Sequence, residues 1–403
     1  MLTGTNLKHA KAHNLRTVLE AIRLYGPVSR VEIARRTGLT TQTVSNITKQ
    51  LIRGSMILDG ERVQAARGAP STLLTLNPDG AFSIGLDLDK DHLVGVLIDF
   101  VGNVRQRVAS ELNFPSPDEA MDLLKATAAE LIAREAIGSE RIRGVGVGLP
   151  GPLGISKGSR SMDLVRPKAF PGWEAVPVVD ILSERLSLPI VLENNATAAA
   201  VGERWYGGGR HVASFFYVYF GAGLGGGLVI NGQPFEGRTG NAGELGWLPS
   251  SAHVNGNLLP HRPHVGARFN LPRLYEHLQA FGTPAHRPSD LAALLRENNR
   301  CLLDWLDAGA QGLAPAIIAI EYLIDPGAIF FGGRLPDVLI EALLHRLEQI
   351  LPSVRIDARN DAPRLIMATA GADAAALGVA TLPLFASFAP SSRIGAQAMI
   401  GSI

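Results

Sequence analysis

Along the first sixty residues the apolar positions recur at helical spacing. Leu15, Val18, Leu19, Ile22 and Leu24 fall on one face, and Gly26-Pro27 ends the run. Ser29 stands where it can cap a second short helix carrying Val31, Ile33 and Ala34, with Glu32 placed to complete a capping box. Thr37-Gly38-Leu39 makes a tight turn. Thr40 can cap a third helix in which Val44, Ile47 and Leu51 face inward while Thr41, Gln42, Thr43, Ser45, Asn46 and Lys49 face out. After Met56-Ile57-Leu58, the polar stretch Asp59-Gly60-Glu61 predicts the turn of a hairpin.

From Phe82 the period changes. Residues 83–88 and 93–99 run apolar or alternate, predicting two strands paired around Asp89-Lys90-Asp91. A helix over 119–135 follows, then a strand over 145–149, a Gly-Pro loop, a strand over 188–192 and an alanine-rich helix over 196–203. A second set of strands begins at Ser214. The uncharged stretch 212–231 reaches membrane-span length, but its glycines predict strands joined by a turn.

Charge changes the picture because it is unevenly divided. Residues 1–70 hold 11 Lys or Arg against 4 Asp or Glu, a net +7, so the rest of the chain carries −6 within the overall +1. A basic module on a mildly acidic body is the electrostatic footprint of nucleic-acid binding. With 403 residues and 46% hydrophobic content the chain can bury two or three cores. Cys301 is the single cysteine, which excludes an intrachain disulfide and a cysteine-cluster zinc site. Lys8, Lys11 and Arg16 are followed by no long apolar core, so the sequence predicts a cytoplasmic protein with no membrane partner.

The N-terminal pattern is similar to the winged helix-turn-helix found at the front of ROK repressors. Small hydroxyl and amide side chains at the start of a recognition helix reach base edges, so Gln42 and Asn46 are the candidate base readers, among Thr41, Thr43 and Ser45. Lys49 and Arg53 are candidate phosphate contacts. Arg67-Gly68-Ala69-Pro70 before Leu76-Asn77-Pro78 resembles the family's Arg-Gly-x-Pro segment, which makes Arg67 a candidate minor-groove or phosphate contact, or simply an arginine in a linker.

The rest of the chain carries the same resemblance in several motifs. These are 144–152, with Gly148-Leu149-Pro150-Gly151-Pro152; Phe170-Pro171-Gly172-Trp173; Glu193-Asn194-Asn195-Ala196; Gly221-Ala222-Gly223-Leu224-Gly225-Gly226-Gly227; Asn241-Ala242-Gly243-Glu244-Leu245-Gly246; and Gly332-Gly333-Arg334-Leu335. Together, in this order, they resemble the ROK family of bacterial sugar kinases and repressors. The resemblance implies an α/β fold: a winged helix-turn-helix over residues 1–80, then a duplicated RNase H-like body of the actin and sugar-kinase superfamily over 81–403. Its two lobes are expected at about 81–200 and 201–403. It also implies a sugar cleft lined by Gly172, Asn194, Asn195, Glu244 and Trp247, the last either stacking on the sugar or serving the core.

Three departures from the family pattern bear on chemistry. Asn195 stands where the kinases carry the Asp that takes the proton from the sugar hydroxyl, and a carboxamide has no basic lone pair near neutral pH. Asn also favours turns and helix caps, so it can equally be a turn residue. Asp89-Lys90-Asp91 replaces a glycine-rich phosphate turn, reading as a polar hairpin that disfavours ATP. Trp247 replaces a zinc-binding His, and 248–268 has no Cys, so zinc is not expected from His253, His261 and His264. The sequence therefore predicts a kinase-inactive sugar sensor that binds an operator as a homodimer or homotetramer. The alternatives are an ATP-dependent sugar kinase and a constitutive DNA-binding protein with a vestigial cleft.

Overall fold

The computed structural model describes residues 7–63, 71–154, 163–164, 172–173, 176–249, 264–355 and 362–386. The chain opens with α1 (Leu7–Tyr25), β1 (Val28–Ser29), α2 (Arg30–Thr37), α3 (Thr41–Arg53), β2 (Ile57–Val63) and β3 (Ser71–Leu76), the strands forming one sheet in the order β1-β3-β2. Three helices beside a small antiparallel sheet are the arrangement expected of a winged helix-turn-helix. Val18, Leu19, Ile22, Ile33, Val44, Ile47, Leu51 and Leu74 form its buried interior. Ser29 and Thr40 cap α2 and α3, their hydroxyls accepting from the Glu32 and Thr43 amides. The capping box is only half formed, because the Glu32 carboxylate turns instead to Arg35 and Arg36, each at 2.6 Å. Asp59-Gly60-Glu61 is not the hairpin turn either. These residues lie inside β2, where the register shifts between Asp59 and Arg62, and the β2–β3 connection falls in 64–70, outside the described residues.

The body holds two five-stranded sheets. The first contains β4 (Phe82–Leu88), β5 (His92–Asp99), β6 (Val104–Glu111), β7 (Ile142–Leu149) and, after the short β8 (Leu153–Gly154) and β9 (Asp163–Leu164), β10 (Ile190–Asn194). Its order is β10-β7-β4-β5-β6. Helices α4 (Pro117–Glu135) and α5 (Val178–Leu186) precede β7 and β10, and α6 (Asn195–Tyr206) follows directly on β10. The second sheet repeats the plan with β11 (Phe215–Phe220), β12 (Leu224–Ile230), β13 (Gln233–Pro234), β14 (Ala328–Gly333) and β15 (Arg364–Met367), ordered β13-β12-β11-β14-β15. Helices α7 (Val265–Arg268), α8 (Leu271–Ala280), α9 (Pro288–Arg296), α10 (Arg300–Ile324) and α11 (Asp337–Val354) complete this lobe, and α12 (Ala374–Ala386) ends the described chain. The uncharged stretch is indeed an antiparallel pair, β11 and β12. Among the described residues no helix is long and apolar enough to cross a membrane.

Two helices fill the space between the sheets. α6 packs on β11 and β12, α12 packs on β4 and β7, and the two helices pack on each other. Small residues make this approach possible: a Cβ at Gly378 would meet the Ala198 carbonyl oxygen at 1.7 Å, and one at Gly202 the Ala374 oxygen at 2.1 Å. The C-terminal helix thus returns to the first sheet, against which a lobe drawn simply as 201–403 would not place it. The interior of the N-terminal unit continues without a break into Val94, Val96, Ile98 and Phe100 of β5 and Ala376, Leu377, Ala380 and Leu384 of α12.

Candidate functional site

α3 presents one polar face. Thr41, Gln42, Asn46 and Lys49 are exposed, Thr43 and Ser45 half-buried, and Val44, Ile47, Thr48 and Leu51 turn inward. Gln42 donates to the Asn46 side-chain oxygen at 3.1 Å, one helical turn on, so the pair is held as a unit. Arg30 is engaged by Thr48 and Asp59, at 3.0 and 3.2 Å, and is not free for DNA in this arrangement. Arg67 lies outside the described residues.

The cleft is built where β10 runs into α6. Asn194 is the N-cap, its side-chain oxygen accepting from the Ala196 and Thr197 amides at 2.8 and 3.4 Å. Its acceptor is therefore committed to the helix, leaving only the amide donor for other work, and that donor reaches Glu244 at 3.4 Å. Asn195 is not the turn or cap residue its type allows: it is the first helical residue, 6% exposed, with its amide 3.4 Å from Asp89. Gly151 closes the same corner, since a Cβ there would lie 2.2 Å from the Asn194 amide nitrogen and 2.5 Å from the Glu244 carboxylate.

Glu244 is carried by the loop between β13 and α7. Burial pushes its carboxyl up, and a hydrogen bond from Trp247 opposes the rise. Asn241 pins this loop to the first lobe, its amide donating to the Leu153 carbonyl at 2.6 Å and its oxygen accepting from the Leu153 amide at 2.8 Å. Trp247 has no core role. It is 56% exposed and lies over His264 with ring centroids 4.6 Å apart, a flat apolar surface beside Glu244. His264 donates through Nδ1 to the Gly246 carbonyl, 2.7 Å away, while His253 and His261 lie outside the described residues. Gly172, with φ of 87°, is near Pro117 at the start of α4, beside Trp173, which is buried in the first lobe with its indole donating to the Pro115 carbonyl. The described contacts do not bring it to Asn194 or Glu244.

The β4–β5 turn is more than a polar hairpin. Asp87, Asp89 and His92 are 2%, 1% and 2% exposed. His92 sits between two carboxylates, Nδ1 to Asp91 at 2.6 Å and Nε2 to Asp87 at 3.4 Å. Burial opposes its charge, but the hydrogen bonds to Asp87 and Asp91 and the charges of Asp87 and Asp89 outweigh this and hold its pKa up at about 9. Burial pushes Asp89 up to about 6, with His92 pulling it down and Asp91 and Asp87 adding to the rise. Asp91 is held below its ordinary range because His92 and Arg334, 3.8 Å away across the cleft, outweigh burial. Asp89, Asp91 and His92 lie close enough together to suggest a metal site. Both imidazole nitrogens are nevertheless spent on carboxylates, so the cluster is an ion-pair network with its own cation. Sequence reading singled out Asp89-Lys90-Asp91 as a polar hairpin in the place of a phosphate turn but missed His92 and the burial of Asp89; the signal was the run of acidic positions between two apolar strands.

This network fixes the sign of one pH dependence. Folded His92 keeps a proton that the unfolded chain sheds above its ordinary pKa of 6.5. The contribution is full below that value and is lost as pH rises towards 9, about 2–3 kcal/mol for one coupled histidine. Chemical denaturation from pH 6 to 9.5 should show this falling slope, and His92→Gln should flatten it; an unchanged slope in the variant would refute the assignment.

Residues 83–264 match the model of the ROK family. A xylose repressor of Caldicellulosiruptor bescii is 31% identical over 220 residues, covering 54% of this chain and 54% of the repressor, so the likeness spans about half of that relative. The crystal structure of a ROK family transcriptional regulator, a homologue of the E. coli MLC protein, aligns with a TM-score of 0.74 at 21% identity, over 94% of this chain and 99% of that one. A ROK family glucokinase from Streptomyces griseus, in complex with glucose and AMPPNP, aligns with a TM-score of 0.63 at 21% identity, over 75% and 99%. At such identities the two structures establish the fold, which serves both a regulator and a kinase.

Proposed function

Because the chain carries a ROK family domain over residues 83–264, we propose that it is a sugar-responsive transcriptional repressor whose kinase-like body binds a sugar without phosphorylating it. Residues 1–80 read operator DNA and 81–403 hold the effector, in a homodimer or homotetramer that presents two recognition helices. The repressor named among its relatives supports the regulatory reading. Asn195 in place of a catalytic carboxylate supports the loss of phosphoryl transfer, since the cleft then lacks a base at the first turn of α6.

One observation carries the sensor reading. α6 begins with the cleft residues Asn194 and Asn195 and ends with Arg204 and Trp205 against the DNA module. The Arg23 guanidinium of α1 lies 3.9 Å over the Trp205 ring, and Arg204 reaches Glu20 at 3.6 Å. Ten residues of helix, about 15 Å, therefore separate ligand contact from DNA-module contact. A ligand that pulls on Asn194, Glu244 and Asn195 shifts the balance of lobe angles, and α6 carries that shift to α1.

The test begins with selection of bound operators from a random DNA pool, followed by titration of the selected DNA with and without sugars. A sugar that changes operator affinity about tenfold is the expected result. Trp205→Ala combined with Arg23→Ala should keep sugar-free affinity within about threefold while cutting the sugar response below about twofold. Full sugar response in that variant would show that α6 is not the route, and ATP-dependent phosphorylation of the bound sugar would sink the sensor reading.

A further inference from the structure

The corner of the cleft beyond Asn195 is charged with one sign. Asp87, Asp89 and Asp91 converge there from the β4–β5 turn, and Glu244 stands on the other side of Asn194. Among the described residues, His92 is held by Asp87 and Asp91, Arg334 faces Asp91 at 3.8 Å, and the Lys90 ammonium lies over the Phe114 ring at 5.9 Å. Asp89 is left with the Lys90 amide at 2.8 Å on one oxygen and the Asn195 amide at 3.4 Å on the other. Three further polar atoms are buried here without a hydrogen-bond partner: Asp87 Oδ1, the Tyr219 hydroxyl and Arg334 Nε, the last held only by its 3.8 Å ion pair with Asp91. A Cβ on Gly221 would lie 2.8 Å from the Tyr219 ring and 3.5 Å from Asp89 Oδ2, so ring and carboxylate border the same spot. Acceptors that are buried and incompletely paired favour a ligand that brings donors.

The start of a helix ordinarily attracts an anion. Here that attraction is pre-empted. The first free amides of α6 are taken by the Asn194 side-chain oxygen, and the nearest negative charge is already supplied by the protein as Asp89. A phosphate monoester arriving at the same point would bring nearly two further charges against three aspartates.

We propose that Asp89 is a ligand-contacting, specificity-determining residue of this cleft, through which the site takes an unphosphorylated sugar, neutral or amine-bearing, and refuses the phosphate ester of the same sugar. The inference rests on the sugar-sensing reading and names its ligand class. Asn194 and Glu244 hold one set of hydroxyls, and the adjoining Asn195–Asp89 pair accepts from a hydroxyl or ammonium at the next position. Because Asn194 and Asn195 are consecutive at one helix end, both subsites move together with α6.

The test is calorimetric titration of the full-length protein with matched probes: D-glucose, D-glucosamine and N-acetylglucosamine, each beside its own 6-phosphate. For the parent sugar that binds, its 6-phosphate should bind roughly 30-fold or more weakly, a like-charge penalty that Asp89→Asn and Asp89→Ser should each narrow to within about threefold. A phosphate ester that binds as tightly as its parent, or a penalty unchanged in both variants, overturns the role of Asp89 while leaving sugar sensing intact. If none of the six sugars binds, the sugar-sensing reading falls, and this inference falls with it.

Discussion

Replacing Gln42 and Asn46 together with alanine lowers affinity for the selected operator by about two orders of magnitude, because each bidentate base contact contributes roughly 1–3 kcal/mol of discrimination. The loss is confined to specific DNA, so affinity for a scrambled duplex changes little. Both side chains are exposed on α3 and contribute nothing to the buried interior, so the melting temperature should stay close to that of the native protein. Their mutual hydrogen bond at 3.1 Å means that the single variants will not sum to the double. Lys49→Ala with Arg53→Ala gives the contrasting signature. Affinity falls for every sequence, and the slope of log affinity against log salt drops by about 2. Fluorescence anisotropy at several salt concentrations separates the two patterns. If the Gln42/Asn46 variant kept native affinity and specificity, α3 would not be the reading helix.

Asn195→Asp, the change that restores a catalytic carboxylate in name, is expected to destabilise the protein rather than create a kinase. The new oxygen would stand where the amide now lies, 3.4 Å from Asp89 Oδ2, with the two residues only 6% and 1% exposed. Two buried carboxylates at that distance cannot both ionise, and the cost is on the order of 2–4 kcal/mol at pH 8. The pair can share a proton at lower pH, so the deficit should shrink towards pH 5, where Asp89, with its pKa of about 6, already holds a proton. Asp89→Asn in the same chain should relieve most of it. Urea denaturation of the four proteins of this double-mutant cycle at pH 5 and 8 measures the coupling directly. A single variant as stable as the native protein at pH 8 would mean that Asn195 and Asp89 are not a matched pair. Phosphorylation of glucose from ATP by the single variant would contradict the exclusion of phosphate from this corner.

The two substitutions that set this chain apart are thus complementary across the cleft. The body keeps a carboxylate near the first turn of α6, but supplies it from the β4–β5 turn and faces it with an amide donor. Sequence reading found Asn195 because its helix start is local and its neighbours Glu193 and Asn194 are adjacent. It read Asp89 only as part of a polar hairpin because burial depends on what the opposite lobe places over it, here Gly221 and Tyr219. Asn241 shows the same limit. Its motif was visible, but its task, clamping Leu153 from 88 residues away, was not. Trp247 could have been core or platform from its type alone, and its exposure sets it outside the core.

The sequence by itself determined what depends on near neighbours. Helical periodicity, the Ser29 and Thr40 caps, the alternating strands and the glycine turns specify α1 to α3, both sheets and the strand-to-helix start of α6, because these features are settled within a few residues. It also supplied the family motifs and the expectation that Asn195 stands in the place of a catalytic carboxylate. Only the tertiary structure decided which distant groups meet. It buried Asp89 against Asn195, 106 residues apart, returned α12 to the first sheet, and set Arg23 of α1 on Trp205 at the far end of the helix that starts beside Asp89. Burial, pKa and coupling are properties of those long-range meetings, and no local pattern along the chain encodes them.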